Sequence, residues 1–425
     1  MRIAVLGAGI VGVTTAWELA EDGHAVTVFE RHDTVAAEAS FANAGLVAPG
    51  YVSPWAAPGM PGKVLSHVFR THAPVRVGAT LSPSTWAWAW RWWRACRPAT
   101  YRANRARMHR LADVSRERLR ELTERLHLDY ERAQGFLVLL RTPRDLRLAE
   151  AGIRTLQALG AAPELLDAAG CRSVEPGLSE ATPLHAGVYS RGDVVGNCRT
   201  FAHRLRKAAA EGGVDFRFGV DVRRIEGGAR PRVVVRPAVD GGREDQTCDV
   251  DAVVVCAGIG AVRLLAPLGI RLPIEPVWGH SVTAPLRDDV LHREPRAALM
   301  DERFKVAISR LGHRVRVAGG ADIGRVSRAR GEAAQTTLDR VLDDWFPGVT
   351  RRSEAQRWRG ARPMLPDGPP VLGPSGVDGV WLNVGHGGSG WALACGSARL
   401  VADAIAGRPN PIAIDGLDLA RIRGR

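Results

Sequence analysis

The sequence predicts an α/β fold in which a discontinuous Rossmann-like dinucleotide-binding domain carries a second, α+β domain with an antiparallel sheet. Three observations predict it. A strand–glycine turn–helix–strand unit opens the chain, a second strand–glycine turn–helix unit lies at 379–408, and most of the 425 residues stand between them. Because both units suit one cofactor-binding sheet, the intervening chain must leave that sheet and return to it.

The first unit is a βαβ dinucleotide-binding motif. The strand RIAVL (2–6) leads into the glycine turn GAGIVG and the helical run VTTAWELAEDG, and a second strand, HAVTVFE, ends at Glu30. Gly7 permits the tight turn, Gly9 lets the backbone approach a pyrophosphate, and Gly12 lets the helix pack on the strand. The helix start binds the phosphates, and Glu30 accepts hydrogen bonds from the ribose hydroxyls. The predicted cofactor contacts here are Gly7, Ala8, Gly9, Ile10, Val11, Gly12 and Glu30.

Two later stretches favour FAD over NAD. CDVDAVVVCAGIGA (248–261) reads as a third parallel strand that ends at Ala257 and Gly258 beside the same nucleotide. The unit at 379–408 directs a second helix N-terminus at another part of one long cofactor, where its dipole stabilises negative charge on a reduced flavin ring. The predicted contacts in its glycine turn are Gly385, Gly387, Gly388, Ser389 and Gly390.

With these motifs in place, the chain resembles the D-amino-acid oxidase and glycine oxidase superfamily of FAD-dependent oxidoreductases. The resemblance is carried by the fingerprint with Glu30 and Arg31, by SFANAGLVAPGYVSPWAAPG (40–59), by GARPMLPDGPPVLG (360–373) and by the glycine turn at 383–408. It runs from residue 1 to about 422. Within the superfamily the chain is similar to the bacterial D-amino-acid dehydrogenases, which implies a cofactor domain of the glutathione-reductase type.

The resemblance implies non-covalent FAD and the oxidation of a D-amino acid by hydride transfer from Cα to flavin N5. The imino acid then hydrolyses to a 2-oxo acid and ammonia, and a quinone-type acceptor of the respiratory chain takes the electrons. A covalent flavin is unsupported, because no cysteine lies in the glycine turn. Val222 is placed to offer backbone contacts to adenine. The resemblance adds further flavin contacts at Arg31, Ser40, Asn43, Ala44, Gly45 and Leu46.

Four side chains are candidates for the substrate site. Arg362, in the GARP element, is the predicted clamp for the substrate carboxylate, because a guanidinium matches a carboxylate bidentately. Its alternative role is to hydrogen-bond nearby carbonyls or the flavin edge. His386 contacts the flavin or holds loop carbonyls, and Tyr51 contacts the substrate or packs. His280 stands where the resemblance leads us to expect tyrosine, a change that would alter the accepted substrate.

The two halves of the cofactor fold are far apart in sequence, which makes the domain discontinuous. Pro-rich turns at 54–61 and 267–276 suit the crossings between domains. The predicted cofactor domain comprises 1–58, 190–270 and 350–425, and the predicted substrate domain comprises 59–189 and 271–349.

The composition limits the classes of partner that the protein can bind and its location in the cell. The formal net charge is +13, but only three residues are lysine, and acids interleave with the arginines in RERLRELTERLHLDYER (116–132). That pattern is typical of a solvated helix and argues against a nucleic-acid partner, while attraction to an anionic membrane surface is the stronger alternative. No run of 18 apolar residues occurs, and the six cysteines show no metal-type spacing. We expect no metal and a cytoplasmic protein, with peripheral contact at the inner face of the cell membrane as an open alternative.

The stretch STWAWAWRWWR (84–94) holds five of the twelve tryptophans. On a helix, Trp86, Trp90 and Trp93 form one stripe and Trp88 and Trp92 an adjoining one. Arg91 and Arg94 occupy the remaining side, and the helix should stop near Pro98. Three interpretations of this helix remain open: it packs in the core, it forms the wall of a cavity, or it docks on a bilayer.

Two other functions stand beside D-amino-acid dehydrogenation. The first is the oxidation of glycine, sarcosine, D-hydroxyproline or another secondary amine, which is a sibling chemistry on the same fold. The second belongs to another class, a basic protein that uses a nucleotide fold to bind RNA or membrane. It predicts a colourless protein, whereas both enzymes are yellow.

Overall fold

The computed structural model describes residues 1–67, 73–158, 160, 162–237, 244–290 and 292–423. Within these residues the chain forms a mostly parallel six-stranded sheet, a mixed ten-stranded sheet and a small three-stranded sheet, with helices packed on them. The predicted α/β fold class is confirmed.

The strands fall along nearly the whole chain. Their bounds are β1 Arg2–Leu6, β2 Ala25–Phe29, β3 Leu46–Val47, β4 Val75–Val77, β5 Ala133–Leu140, β6 Glu164–Asp167, β7 Ala186–Val195, β8 Asp215–Arg217, β9 Val220–Glu226, β10 Arg232–Pro237, β11 Gln246–Asp249, β12 Ala252–Val255, β13 Glu275–Pro285, β14 Ala298–Asp301, β15 Val306–Leu311, β16 Arg314–Ile323, β17 Gln356–Met364, β18 Val371–Pro374 and β19 Val380–Val384.

The helices alternate with these strands. Their bounds are α1 Ile10–Glu21, α2 Met60–His67, α3 Pro83–Ala95, α4 Pro98–Arg125, α5 Pro143–Ala158, α6 Ala168–Val174, α7 Cys198–Glu211, α8 Ala261–Leu265, α9 Arg328–Trp345, α10 Gly390–Ile405 and α11 Ala420–Arg423.

The six-stranded sheet has the order β18-β19-β12-β1-β2-β8. The pairs from β19 to β8 are parallel, and only β18 runs antiparallel to its neighbour. β1 and β12 are short apolar runs, as strands buried on both faces require. The predicted third parallel strand is therefore confirmed as β12, hydrogen-bonded directly to β1.

The ten-stranded sheet follows the path β17-β13-β16-β15-β14-β5-β7-β3, with β4 on β16 and β6 on β7. Most of its pairs are antiparallel, but β14 with β5 and β16 with β4 are parallel. One face packs on α9 through a core of branched and aromatic side chains. The other face carries a second apolar cluster, which includes Phe136, Met300 and Ala307, and it is covered by the segment that follows β3.

The predicted domain boundaries remain predictions. The strands of the six-stranded sheet agree with the predicted ranges, whereas some strands of the ten-stranded sheet do not. All strands of the six-stranded sheet lie in the three ranges predicted for the cofactor domain. However, β7 spans the predicted boundary at 190, and β17, from the last predicted cofactor range, pairs with the ten-stranded sheet.

The tryptophan-rich stretch is α3, so the predicted helix is confirmed. The Ser82 side chain accepts a hydrogen bond from the Thr85 amide, and proline occupies the first turn. The two predicted stripes differ in environment: Trp88 is 3% exposed, whereas Trp86 is 63% exposed. Trp90 and Trp93 share the exposure of Trp86. In the part of the chain that the structure describes, no helix combines the length and apolar character that a membrane span requires.

Candidate functional site

Three glycine turns meet at one edge of the six-stranded sheet. β19, β12 and β1 are parallel neighbours, and each is followed directly by a turn: 385–390, 257–260 and 7–12. In a parallel sheet, all three turns lie at the carboxyl edge, where such folds bind nucleotides. The sequence predicted each turn separately, and the sheet order brings them together.

The first turn is shaped for close backbone approach. Gly7 has a φ of +100°, and a Cβ there would lie 2.9 Å from the Cys256 carbonyl oxygen. A Cβ at Gly12 would collide with the Gly7 carbonyl. Helix α1 begins after Gly9 with no side-chain cap and no acidic residue in its first turn. Apart from the Ile10 amide, which donates to the Ser40 hydroxyl, its first amides are available to a phosphate group.

The polar residues around this turn hold its backbone. Glu30 accepts hydrogen bonds from the Ala8 amide at 2.7 Å and, through its other oxygen, from the His32 amide at 2.9 Å. The Ser40 hydroxyl accepts from the Ile10 amide at 3.1 Å. Arg31 pairs with Glu38. The predicted ribose contact, Glu30, therefore lies beside the glycine turn, and the predicted Ser40 lies at the helix start.

The segment Asn43–Leu46 is fixed from both sides. The Asn43 carbonyl accepts from Arg316 at 3.0 Å, the Ala44 carbonyl from the Ser309 hydroxyl at 2.6 Å, and the Gly45 carbonyl from the Trp391 indole at 3.1 Å. Leu46 begins β3, which pairs with β7. These hydrogen bonds hold the backbone of the segment in place between the ten-stranded sheet and α10. Sequence reasoning found the segment but missed Arg316, Ser309 and Trp391, because these side chains reach it through the pairing of distant strands and the packing of α10.

The turn after β12 leaves room beside the first turn. Gly258 has a φ of +52°, and nothing lies within 4 Å of a Cβ placed on it. The Ala257 Cα lies 3.2 Å from a Cβ placed on Gly7. Val222, the predicted adenine contact, is buried in β9, and its carbonyl accepts a hydrogen bond from Arg263 at 2.9 Å.

The turn at 385–390 joins the two sheets. Gly385 and Gly387 have positive φ, and His386 bridges to Met364 of β17. α10 starts at Gly390 without an acidic residue in its first turn. Its positive end therefore points into the region between the sheets, as a cofactor that gains negative charge requires. The remaining predicted contacts in this turn are Gly388 and Ser389.

His386 is a buried, neutral imidazole. Burial lowers the pKa of His386 to about 3. Its Nε2 lies 3.0 Å from the Ser397 hydroxyl, which itself donates to the Ala394 carbonyl at 3.1 Å. The Ser397 oxygen therefore accepts from Nε2–H, and Nδ1 is left as the acceptor. The position beside the glycine turn matches the sequence prediction, whereas the ionised form is excluded at neutral pH.

Arg362 extends from β17 across β13 to Gly320 of β16, and the aliphatic part of its side chain lies against the same turn. Its side chain lies 3.4 Å from a Cβ placed on Gly388, and its Nη1 donates to the Gly320 carbonyl at 2.9 Å. Among the described residues no carboxylate forms an ion pair with it. Loss of hydration lowers the pKa of Arg362, although the charge of Asp322 opposes the shift. A cation with unused donors beside a flavin-type turn can bind a carboxylate.

The face of the ten-stranded sheet that carries Arg362 combines glycine and other small residues with one large ring, Trp358, which covers Gly360. A Cβ on Gly279 would collide with the Arg362 guanidinium, so this side of β13 and the guanidinium share one face. By strand register the same face carries Gly360, Ser281, Ala318 and Ala307. The Ser281 hydroxyl is buried and has no partner among the described residues. An unpaired buried hydroxyl beside glycine positions and one indole ring fits a flat aromatic group such as the flavin ring of FAD, which would supply the missing hydrogen bond.

His280 lies on the opposite face of β13. Its Nε2 bonds Asp322 at 2.9 Å, and its ring points toward Gly331 of α9. Asp322 also bonds Arg76 at 2.6 Å. Successive strand residues alternate between faces, so residue 280 cannot share the face of Gly279 and Arg362. The expectation that His280 contacts the substrate is therefore replaced by a role in a buried polar cluster under α9.

Tyr51 is also separated from Arg362. Its hydroxyl donates to Glu302 at 3.4 Å, and its ring meets Phe136 edge-on at 5.3 Å. Burial raises the pKa of Tyr51, and the charge of Glu302 adds to the shift. Phe136 belongs to β5, five strands away from β17 in the sheet. The structure gives Tyr51 a packing contact and does not bring it to Arg362.

Known proteins resemble this chain over nearly its full length. The sequence profile of the family described as FAD dependent oxidoreductase matches residues 2–404. A D-amino acid dehydrogenase of Cereibacter sphaeroides is 45% identical over 425 residues, covering 99% of this chain and 95% of the relative. A D-amino acid dehydrogenase of Rhizorhabdus wittichii is 44% identical over 423 residues, covering 99% of this chain and 100% of the relative.

Among solved structures, glycine oxidase from Geobacillus kaustophilus has the same fold. The TM-score is 0.71 at 23% identity, and the alignment covers 99% of each chain. At that identity the likeness concerns the fold alone.

Proposed function

The chain belongs to the FAD dependent oxidoreductase family, and from that premise we propose that it oxidises D-amino acids to 2-oxo acids and ammonia and passes the electrons to a quinone-type acceptor. The family fixes the cofactor as FAD. The D-amino-acid substrate rests on the relatives that are 44–45% identical over nearly the full chain.

The position of Arg362 carries the proposal. It is a cation without an ion-pair partner among the described residues, and it lies between the glycine turn at 385–390 and Gly279 of the ten-stranded sheet. A bidentate bond to the substrate carboxylate would use its free donors. Such a clamp fixes the amino acid at one end and leaves Cα beside the cofactor face.

The chain's own residues position the reactants. Bound FAD supplies the acceptor for the hydrogen and the two electrons that leave Cα. Arg362 holds the carboxylate, and Ser281 offers a hydroxyl on the same face. His386 stays neutral, because burial lowers its pKa to about 3, and so adds no charge beside the amine. A substrate that reacts as the neutral amine needs no strong base at Cα, and its positioning supplies the rate.

We further propose that the exposed stripe of α3 contacts a membrane surface. Trp86, Trp90 and Trp93 are 51–63% exposed, and the Trp90 and Trp93 rings stack at 5.0 Å. The flanking side chains Arg91 and Arg94 form no ion pair among the described residues. Indole rings edged by free cations suit the interface of an anionic bilayer.

Vesicle sedimentation tests this contact. Replacing the three exposed tryptophans by serine should abolish binding to anionic vesicles while the fold and the flavin spectrum persist. The matched control is Trp17→Phe, in a buried position of α1. Equal binding by the triple variant would remove the membrane contact.

Anaerobic titration of the yellow holoenzyme tests the catalytic proposal. We expect several D-amino acids to bleach the flavin absorbance, and their L-enantiomers and N-methyl amines to leave it unchanged. Bleaching by L-enantiomers only would refute the D-specific function. Bleaching by glycine or sarcosine only would instead support an oxidase or dehydrogenase of glycine or a secondary amine. A colourless protein that no added FAD turns yellow would refute both.

A further inference from the structure

Behind the tryptophan helix lies a cavity of about 770 Å³. It is enclosed by α2, α3, β4 and the segment after β16, and its walls include Trp55, Val64, Val77, Trp88, Trp92 and Ile323. This volume is several times that of an amino acid and lies in the range of pockets for drug-sized ligands, about 300–1,000 Å³.

The walls suit a flat, apolar ligand. Apart from the indole nitrogens, the only polar side chains among the described lining residues are Arg325, Ser327 and Arg330. The Trp88 and Trp92 rings stack with an interplanar angle of 9°, and Trp55 lies across both at 6.1–6.4 Å. A zwitterionic amino acid would lose its hydration here without gaining partners, whereas a ring with a hydrocarbon tail would gain aromatic and apolar contacts.

The inner wall of the cavity borders the cofactor turn. The Trp88 indole donates to the Met364 carbonyl at 2.9 Å. Met364 bridges to His386, and its sulfur lies 2.8 Å from a Cβ placed on Gly387. One tryptophan and one methionine therefore separate the cavity from the glycine turn where the flavin is expected.

The outer wall of the cavity is part of the exposed stripe. Trp86 and Trp93 line the cavity and are also 63% and 51% exposed, and Leu65 of α2 is 72% exposed beside them. The cavity thus opens on the surface that we assign to the membrane. A lipophilic molecule could pass from a bilayer into the cavity without crossing water.

From this arrangement we infer that the cavity is the binding site for the quinone headgroup and the first part of its tail. The inference rests on the proposed function, which supplies the reduced flavin. The step transfers two electrons and two protons from the reduced flavin to the quinone, which gives the quinol and the oxidised cofactor. The substrate carboxylate site at Arg362 and the acceptor site behind Trp88 are then separate.

Quenching of tryptophan fluorescence by decyl-ubiquinone tests the site in the holoenzyme without any substrate. Ala89→Phe fills the cavity from α3, and Val64→Phe fills it from the opposite wall. Both should raise the apparent Kd for decyl-ubiquinone roughly ten-fold or more. Ala87→Phe is the matched control, because Ala87 is exposed on α3 and does not line the cavity.

The companion readout is the anaerobic bleaching of the flavin by a D-amino acid. It should keep its wild-type rate in the two cavity variants, while quinone-dependent recovery of the flavin colour slows. Wild-type quinone binding in both cavity variants, or displacement of the quinone by the amino acid, would overturn the inference. If no D-amino acid bleaches the flavin, the proposed function fails, but saturable quenching that the cavity variants weaken would still support the site.

Discussion

The two faces of the ten-stranded sheet differ in the side chains that they carry and in whether their buried polar groups have hydrogen-bond partners. The face under α9 carries branched side chains that pack with the helix, including Val282, Leu299, Ile308 and Val317. The face toward the glycine turns carries Gly279, Ser281, Ala307, Ala318 and Gly360, with the Trp358 ring over Gly360. The face under α9 is filled by the protein itself, whereas the other face leaves a buried hydroxyl, that of Ser281, without a partner among the described residues.

Two arginines, one on each face, also differ in pairing. Arg76, on the α9 side, bonds Asp322 at 2.6 Å, and Asp322 bonds His280. Arg362, on the opposite face, contacts only a carbonyl among the described residues. A paired buried cation stabilises the fold, whereas an unpaired one beside a cofactor turn is available to substrate. The comparison therefore separates a structural cluster from a binding site.

The largest expected effect lies on the structural face. Asp322→Asn should lower the free energy of unfolding by about 3–5 kcal/mol, because it leaves Arg76 buried without its counter-ion. Denaturant titration measures the loss. In variants that remain folded at low temperature, the KM for a D-amino acid should stay near wild type. A large rise in KM with unchanged stability would contradict the separation of the faces.

The cluster of Asp322, His280 and Arg76 also makes the free energy of unfolding depend on pH in the acid range. Burial raises the pKa of Asp322, but the bond from His280 and the charge of Arg76 outweigh it and hold the pKa below its usual value. A depressed pKa stabilises the fold above the unfolded-state pKa, near 4, and this contribution is lost as the pH falls through the folded-state pKa. The variant should therefore lose stability less steeply below about pH 4 than the wild type.

The next effect lies on the site face. Arg362→Ala should raise the KM for a D-amino acid roughly 10²-fold, since the lost charge-assisted pair is worth about 3 kcal/mol. Arg359→Ala is the matched control, because Arg359 lies on the other face of β17 over the Trp278 ring. Steady-state kinetics with an artificial acceptor measures both. Equal KM values in the two variants would remove Arg362 from the clamp.

The smallest expected effect on KM comes from adding one methyl group at Gly279. A Cβ on Gly279 would displace the Arg362 guanidinium, and Gly279→Ala should therefore raise KM about ten-fold with little loss of stability. Gly331→Ala adds the same methyl on the α9 side, where it meets the His280 ring at an ordinary 3.9 Å. That control should leave KM unchanged. A similar rise in both variants would mean that the faces are coupled.

The dinucleotide unit and α3 could be predicted from sequence, because glycine spacing and helical periodicity are local signals. The faces of β13 could not. Resemblance directed attention to His280, but strand alternation and the irregular pairing between Trp278 and His280 turn Gly279 and Ser281 toward Arg362 instead. The anchors of the 43–46 segment come from distant strands and from α10, the partner of His280 comes from β16, and no local pattern marks Arg316 or Asp322.

Binding of benzoate to the holoenzyme, followed by the flavin spectrum, tests the central claim most directly. Benzoate offers a carboxylate to the clamp and has no amine to oxidise. Arg362→Leu should weaken its binding roughly 10²-fold, and His280→Leu should leave it within about three-fold of wild type. The reverse result, with benzoate lost in His280→Leu and retained in Arg362→Leu, would place the substrate on the α9 face and contradict the account.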